Sequence, residues 1–305
     1  MVETPPRIGM PMWTQAVDLH SHSTHSDGQH DVHTVAETMA NRGVKVWALT
    51  DHDTINGWEE GANAAARLGI RFVPGIEITC EVAEPAHEAE LMRHAQERPS
   101  NSWHLLAYFP TWIPGATNEE INAFQRWLLP HQSGRIPRMM AMCERLGELG
   151  MPVDAERVMA RATGSVGRPH LAEEMVSLGY VATKQEAFET WIGDGLPGFV
   201  EHRKPNLEQA VQQIHKAGGV ASLAHPKYYG VPVSKLLEVL NNSGVDAVEA
   251  VHRSHSDAYR YELMLAATAN GLGITVGSDF HGMDYGQLPG HMPAIIERLL
   301  PAVRP

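Results

Sequence analysis

Short apolar runs alternate along this chain with stretches in which apolar residues recur every three or four positions. The runs around Asp18, Ala48, Val73, Leu106, Ser222, Val248 and Thr275 read as strands. The stretches Val32–Asn41, Trp58–Leu68, Leu207–Lys216, Val233–Asn241 and Asp257–Asn270 read as amphipathic helices. Strands that alternate with helices predict a parallel sheet. The strand count predicts an α/β fold, a distorted seven-stranded (β/α)7 barrel that is TIM-like with one unit missing. Between Thr111 and Pro205 the strand rhythm stops, and Asn118–Leu129, Arg135–Leu149, Ala155–Ala162, Arg168–Ser177 and Lys184–Trp191 read as helices. The pattern therefore predicts a barrel from residues 1–111 and 206–305, with residues 112–205 inserted as a helical cap. Glu84–Asn101 is a further polar stretch, read as a surface helix or loop in which His87 and His94 are solvated.

The strand-like runs end in chemistry. His20 and His22 close the first, with Asp27 soon after. His52 follows the second, Glu77 lies in the third, His104 in the fourth and His225 after the fifth, while Asp279 and His281 follow the last. Barrels of this type carry their sites on the loops at the carboxyl ends of the strands, so nine potential ligands would collect at one rim. His20 and His22 are two apart on an extended strand and share a face. Ser26-Asp27-Gly28 reads as a turn that swings Asp27 back, with glycine adopting conformations barred to other residues. Imidazole with carboxylate suits divalent Mn, Fe or Zn, and Cys80 and Cys143 are too few and too far apart in sequence for a thiolate site.

Composition narrows the partners. The 305 residues include 24 basic and 36 acidic side chains, a net charge of −12. That balance opposes a broad grip on long nucleic acid, which depends on phosphate neutralisation by Lys and Arg. An anionic substrate would have to be drawn by a local field, which divalent ions held at the rim would supply inside this acidic protein. No run approaches the length of a membrane span and no signal-peptide core is visible, so with two cysteines the cytoplasm is the expected compartment. The 18 histidines do not form a His-rich tract, which speaks against a metal buffer. No self-complementary patch indicates an oligomeric state.

Six motifs occur in order: His20-Ser-His22 through Asp27-Gly28, Thr50-Asp51-His52-Asp53, Gly75-Ile-Glu77, His104-Leu-Leu, Ala224-His225-Pro226 and Gly277-Ser-Asp279-Phe-His281. Together they resemble the motifs of the PHP (polymerase and histidinol phosphatase) metallophosphoesterases. Gly167-Arg168-Pro-His170, Pro197-Gly-Phe-Val200 and Ser254-His255 make the branch acting on nucleoside 3′,5′-bisphosphates and short RNA 5′ ends the most similar. The resemblance implies three divalent ions, manganese first with iron or zinc as alternatives. One ion would be held by His20, His22, Glu77 and Asp279, the second by Glu77, His104 and His225, and the third by Asp27, His52 and His281. It further implies hydrolysis of a small nucleotide phosphate ester, or of the 5′ end of a short oligoribonucleotide, by a hydroxide shared between ions, with Glu77 and Asp279 as catalytic residues.

Arg135 and Arg168 are the expected phosphate grips from the cap, because a guanidinium fork matches phosphoryl oxygens. His170, Ser254 and His255 are expected substrate contacts, and His255 a candidate proton donor. Asp51 and Asp53 flank a ligand and are expected to orient it. Two other enzyme readings keep the site and change the leaving group, a histidinol-phosphate phosphatase and a metal-dependent amidohydrolase. A non-catalytic metal-binding module ranks below all three, because every ligand position is chemically competent.

Overall fold

The computed structural model of the protein describes residues 13–82, 102–133, 135–162, 166–200, 204–285 and 288–305. A short strand β1 (Trp13–Thr14) precedes seven strands that form one sheet in chain order. These are β2 (Val17–Asp18), β3 (Val46–Leu49), β4 (Arg71–Glu81), β5 (Ser102–Tyr108), β6 (Val220–Leu223), β7 (Ala247–His252) and β8 (Gly273–Gly277). β9 (Ala294–Ile295) pairs antiparallel with β1. The seven coincide with the predicted runs. Leu19 N–H donates to Val276 O over 2.9 Å and His22 N–H to Phe280 O over 2.8 Å, so the last strand meets the first and the sheet curls into a barrel.

The sheet is not uniformly parallel, as the alternation predicted. β5 runs antiparallel to both β4 and β6. The alternation argues for parallel neighbours only where a crossover helix separates two strands. It is broken on both sides of β5, by the polar stretch before it and the insertion after it, so periodicity located this strand without giving its direction.

The helices are α1 (Val32–Asn41), α2 (Trp58–Leu68), α3 (Glu119–Ser133), α4 (Arg135–Glu148), α5 (Ala155–Arg161), α6 (Arg168–Ser177), α7 (Lys184–Ala187), α8 (Leu207–Lys216), α9 (Val233–Ser243) and α10 (Asp257–Ala269). Asp31, Asn206 and Ser256 cap α1, α8 and α10, each side chain accepting the N–H three residues on. α7 passes into a π-helical turn at Phe188–Ile192, where the sequence predicted one continuous helix. Leu105, Leu106, Leu223 and Val248 belong to the barrel core, and α3 packs Ile121, Phe124 and Leu128 into it. The remaining insertion helices bury Met142, Leu146, Leu171, Met175 and Ile192 in a cluster of their own. The first insertion helix thus packs with the barrel, contrary to its expected place in the cap. None of the described helices is long and apolar enough to cross a membrane.

Candidate metal centre

All nine expected ligands come together at one rim of the barrel. Glu77, in the middle of β4, is buried at their centre: its Oε1 lies 2.8 Å from His104 Nδ1 and 3.0 Å from His225 Nε2. Its Oε2 lies 3.3, 3.2 and 3.2 Å from His20 Nε2, His22 Nε2 and His52 Nδ1. Asp279 Oδ1 stands 3.4 Å from both His20 and His22 and 3.3 Å from His281 Nδ1. Asp27 faces His281 at 3.3 Å and His52 at 3.7 Å. The arrangement is more shared than three separate ligand sets, since His22 also joins the group formed by Asp27, His52 and His281, and His52 also joins Glu77 and His104.

His104 reaches the rim for a reason opposite to the one expected. It lies near the beginning of β5, and because that strand runs backwards its start is at the rim where the other strands end; His104 pairs in register with Thr79 of β4. Asp51 shapes the loop bearing Asp27: its carboxylate accepts from Ser23 N–H (2.7 Å), Ser23 Oγ (2.7 Å) and Ser26 Oγ (2.6 Å). Gly28 is required for space, where the sequence suggested conformational freedom. A Cβ there would sit 2.4 Å from the carbonyl oxygen of His22. Among the described residues, three other than glycine take left-handed backbone, Asp53 (φ 53°), His225 (φ 26°) and Asp279 (φ 53°), a conformation that persists only where the surroundings enforce it.

Burial alone would push the three carboxyls up. The histidines around them outweigh it and hold Glu77, Asp27 and Asp279 well below the usual carboxylate range, with Arg253 adding to the effect on Asp279. Those carboxylates in turn draw protons. Against burial, His20 is pushed well above the ordinary histidine range and His22 up to about 10, whereas burial prevails at His52 and takes it down to about 3. His20 Nε2, His22 Nε2, His52 Nδ1 and Asp27 Oδ1 are buried without a hydrogen-bond partner. Buried polar atoms are nearly always paired, and converging unpaired imidazole and carboxylate atoms fit divalent transition ions.

Seven of these ligands, all but His20 and His22, line one wall of a cleft of about 280 Å³, and the insertion helices line the other. Arg135 and Arg168, the phosphate grips expected from the sequence, both line it, but each is already paired. Arg135 Nε donates to Asp53 Oδ2 (2.7 Å) and Arg168 Nη1 to Asp194 Oδ1 (2.6 Å). Asp53 therefore binds the arginine at the start of α4, while its Oδ1 accepts from Thr79 N–H at 3.1 Å. His170 stands outside the cleft lining; its Nδ1 accepts from Gly167 N–H at 3.0 Å, closing the first turn of α6. His255, expected to touch substrate or give a proton, is buried beside His252, and its Nδ1 donates to Ala250 O at 3.0 Å. Ser254 holds His252 Nδ1 at 2.8 Å and does not line the cleft either. The turn that carries these two residues tightens right after β7 and keeps both behind the rim.

Two cleft cations escaped the sequence reading, Arg138 and Lys204. Arg138 is one turn beyond Arg135 on α4, a spacing that could have found it. Burial lowers its pKa to about 9, with Arg168 and Arg135 adding to the fall, and burial lowers that of Lys204 as well. Glu249 was also missed, although a carboxylate inside the apolar run Ala247–Val251 must have a partner.

A barrel whose rim gathers imidazoles and carboxylates beside a cationic cleft defines a metal-dependent phosphoesterase. The chain belongs to the PHP domain family, which it matches over residues 18–298. It is 31% identical to a 3′,5′-nucleoside bisphosphate phosphatase of Chromobacterium violaceum, across 95% of this chain and 94% of the relative. It is also 31% identical to a 5′-3′ exoribonuclease of Haemophilus influenzae, across 88% and 90%. A solved Chromobacterium violaceum structure, described as an amidohydrolase with bound sulfate and no metal, superposes with a TM-score of 0.77 at 30% identity, covering 95% of this chain and 94% of that one.

Proposed function

We propose that this phosphoesterase hydrolyses small nucleotide phosphates, a nucleoside 3′,5′-bisphosphate or the 5′ end of a short oligoribonucleotide, with three divalent ions held by the nine rim residues. His20, His22, Glu77 and Asp279 would hold one, Glu77, His104 and His225 the second, and Asp27, His52 and His281 the third. Manganese is the first choice among ions that suit these donors. Such ions acidify water and neutralise phosphoryl charge. The observation that carries the substrate reading is the facing wall, where Arg135, Arg138, Arg168 and Lys204 line one cleft with the ligand cluster. More cations than a single phosphoryl group needs suit a substrate with a second phosphate, whose binding can orient the reacting one. The N-terminus of α6, at Gly167-Arg168-Pro169, lines the same wall, and a helix N-terminus favours anions. Met139, Val166 and Phe188 add an apolar surface of a kind that a base can lie against. The cleft is small, which suits a mononucleotide or a strand end better than a duplex.

Two outcomes follow. The manganese-loaded enzyme is expected to hydrolyse adenosine 3′,5′-bisphosphate or a trinucleotide with much higher kcat/KM than adenosine 5′-monophosphate or histidinol phosphate; a tenfold preference for histidinol phosphate would overturn the reading. Arg168→Ala should lower kcat/KM by ~10²-fold, the size of a lost charged hydrogen bond of ~1.5–3 kcal/mol, with metal content unchanged. Arg168 also lies over the Phe188 and Phe199 rings, so Arg168→Lys should recover only part of the loss. Unaltered kinetics in Arg168→Ala would make it a structural partner of Asp194.

A further inference from the structure

Glu249, on β7, is buried and does not line the cleft, yet both of its oxygens are committed to residues of the rim. Its Oε1 is 3.0 Å from His20 Nδ1, and its Oε2 accepts the backbone N–H of His225 at 2.7 Å. The two contacts have different consequences. An ionised carboxylate can only accept, so the proton of a neutral His20 must sit on Nδ1. Nε2 is then left as a bare lone pair, and this atom is 3.3 Å from Glu77, 3.4 Å from Asp279 and without a hydrogen-bond partner. The second contact falls on a backbone with φ 26°, a conformation that a side-chain-bearing residue does not hold unaided. Holding that N–H keeps His225 Nε2 aimed at Glu77 Oε1, 3.0 Å away. Space for this arrangement comes from Gly277, where a Cβ would lie 2.2 Å from His20 Cβ and 2.5 Å from Glu249 Oε1.

We infer that Glu249 is a positioning residue for metal binding: one carboxylate that sets the tautomer of His20 and the backbone of His225, and so readies a ligand on each side of Glu77. The inference rests on the proposed assignment of His20, His225 and Glu77 as metal ligands. Glu249→Gln is the informative change, because an amide matches the carboxylate in shape but offers one acceptor and one donor. If its NH2 faces His20 Nδ1, the imidazole proton moves to Nε2 and blocks the ligand atom. If it faces His225 N–H, two donors oppose each other at the strained residue.

The test measures manganese per chain by elemental analysis after dialysis, manganese affinity by titration, and thermal unfolding of the metal-free forms. Wild type should retain its ions, and folded Glu249→Gln should bind manganese ~10–100-fold more weakly, the usual loss when a ligand's hydrogen-bond partner is removed. A purely structural role would instead lower the unfolding temperature of the metal-free variant and leave its metal content and affinity at wild-type values, which would overturn the inference. A wild type that binds no manganese would defeat the ligand assignment itself, a separate outcome. Should Glu249→Gln not fold, the zinc-loaded wild type decides by nitrogen–proton correlation of its histidine rings. His20 protonated at Nδ1 with a bare, metal-bound Nε2 supports the inference, and the opposite tautomer overturns it.

Discussion

Glu77→Gln is expected to lower kcat/KM by at least ~10³-fold. Glu77 contacts five of the rim histidines through both oxygens. Its replacement takes away a charge and one acceptor at the point where two of the proposed ion positions meet. Metal ions supply several kcal/mol of transition-state charge stabilisation in reactions of this kind, and ~4 kcal/mol corresponds to roughly a thousandfold in rate. The loss should appear with a fall in bound metal, measured by elemental analysis on the purified variant. Glu77→Gln with full metal content and more than a tenth of wild-type activity would show that the ions do not depend on this bridge.

Removing the metals is expected to lower the unfolding temperature by at least ~10 °C. Ligands that bind only the folded state stabilise it by ~4 kcal/mol per site when present at a thousand times Kd. For a chain of this size each kcal/mol moves the midpoint by ~2 °C. The direction with pH should differ between the two forms. In the metal-free protein His22 is raised to about 10, because Asp279 and Glu77 outweigh burial. A histidine raised in the folded state adds stability that is complete below its unfolded value near 6.5 and is lost as pH rises through about 10. The chelated protein should therefore lose stability between pH 7 and pH 10. Where metal is bound, protons compete with it for the same nitrogen, so the stabilisation by metal should grow over that interval. Calorimetry with and without chelator at pH 7 and pH 9.5 checks both statements; equal midpoints in the two forms would sink them.

The sequence by itself determined the seven strands, most helix boundaries and the identity of the residues that meet at the rim. Each of these is local: apolar period, caps such as Asp31 and Asn206, and polar residues placed where apolar runs stop. His20 and His22 share a face whatever the rest of the chain does, because alternate residues of an extended strand always do.

Tertiary structure decided what depends on partners remote in sequence. The direction of β5 places His104, and it is set by pairing with β4 and β6 across interruptions that carry no periodic signal. Arg135 is tied to Asp53 and Arg168 to Asp194, contacts spanning 82 and 26 positions, so their phosphate-binding capacity is shared with acids that a linear reading does not place beside them. Ser254 and His255 follow a strand end as ligands do, yet the turn after β7 points them behind the rim. Glu249 is the converse, a residue with no motif around it that touches His20 from 229 positions away and His225 from 24. A short motif records which groups a site requires, but a buried carboxylate's oxygens can be assigned only once the barrel has closed and brought its donors to them.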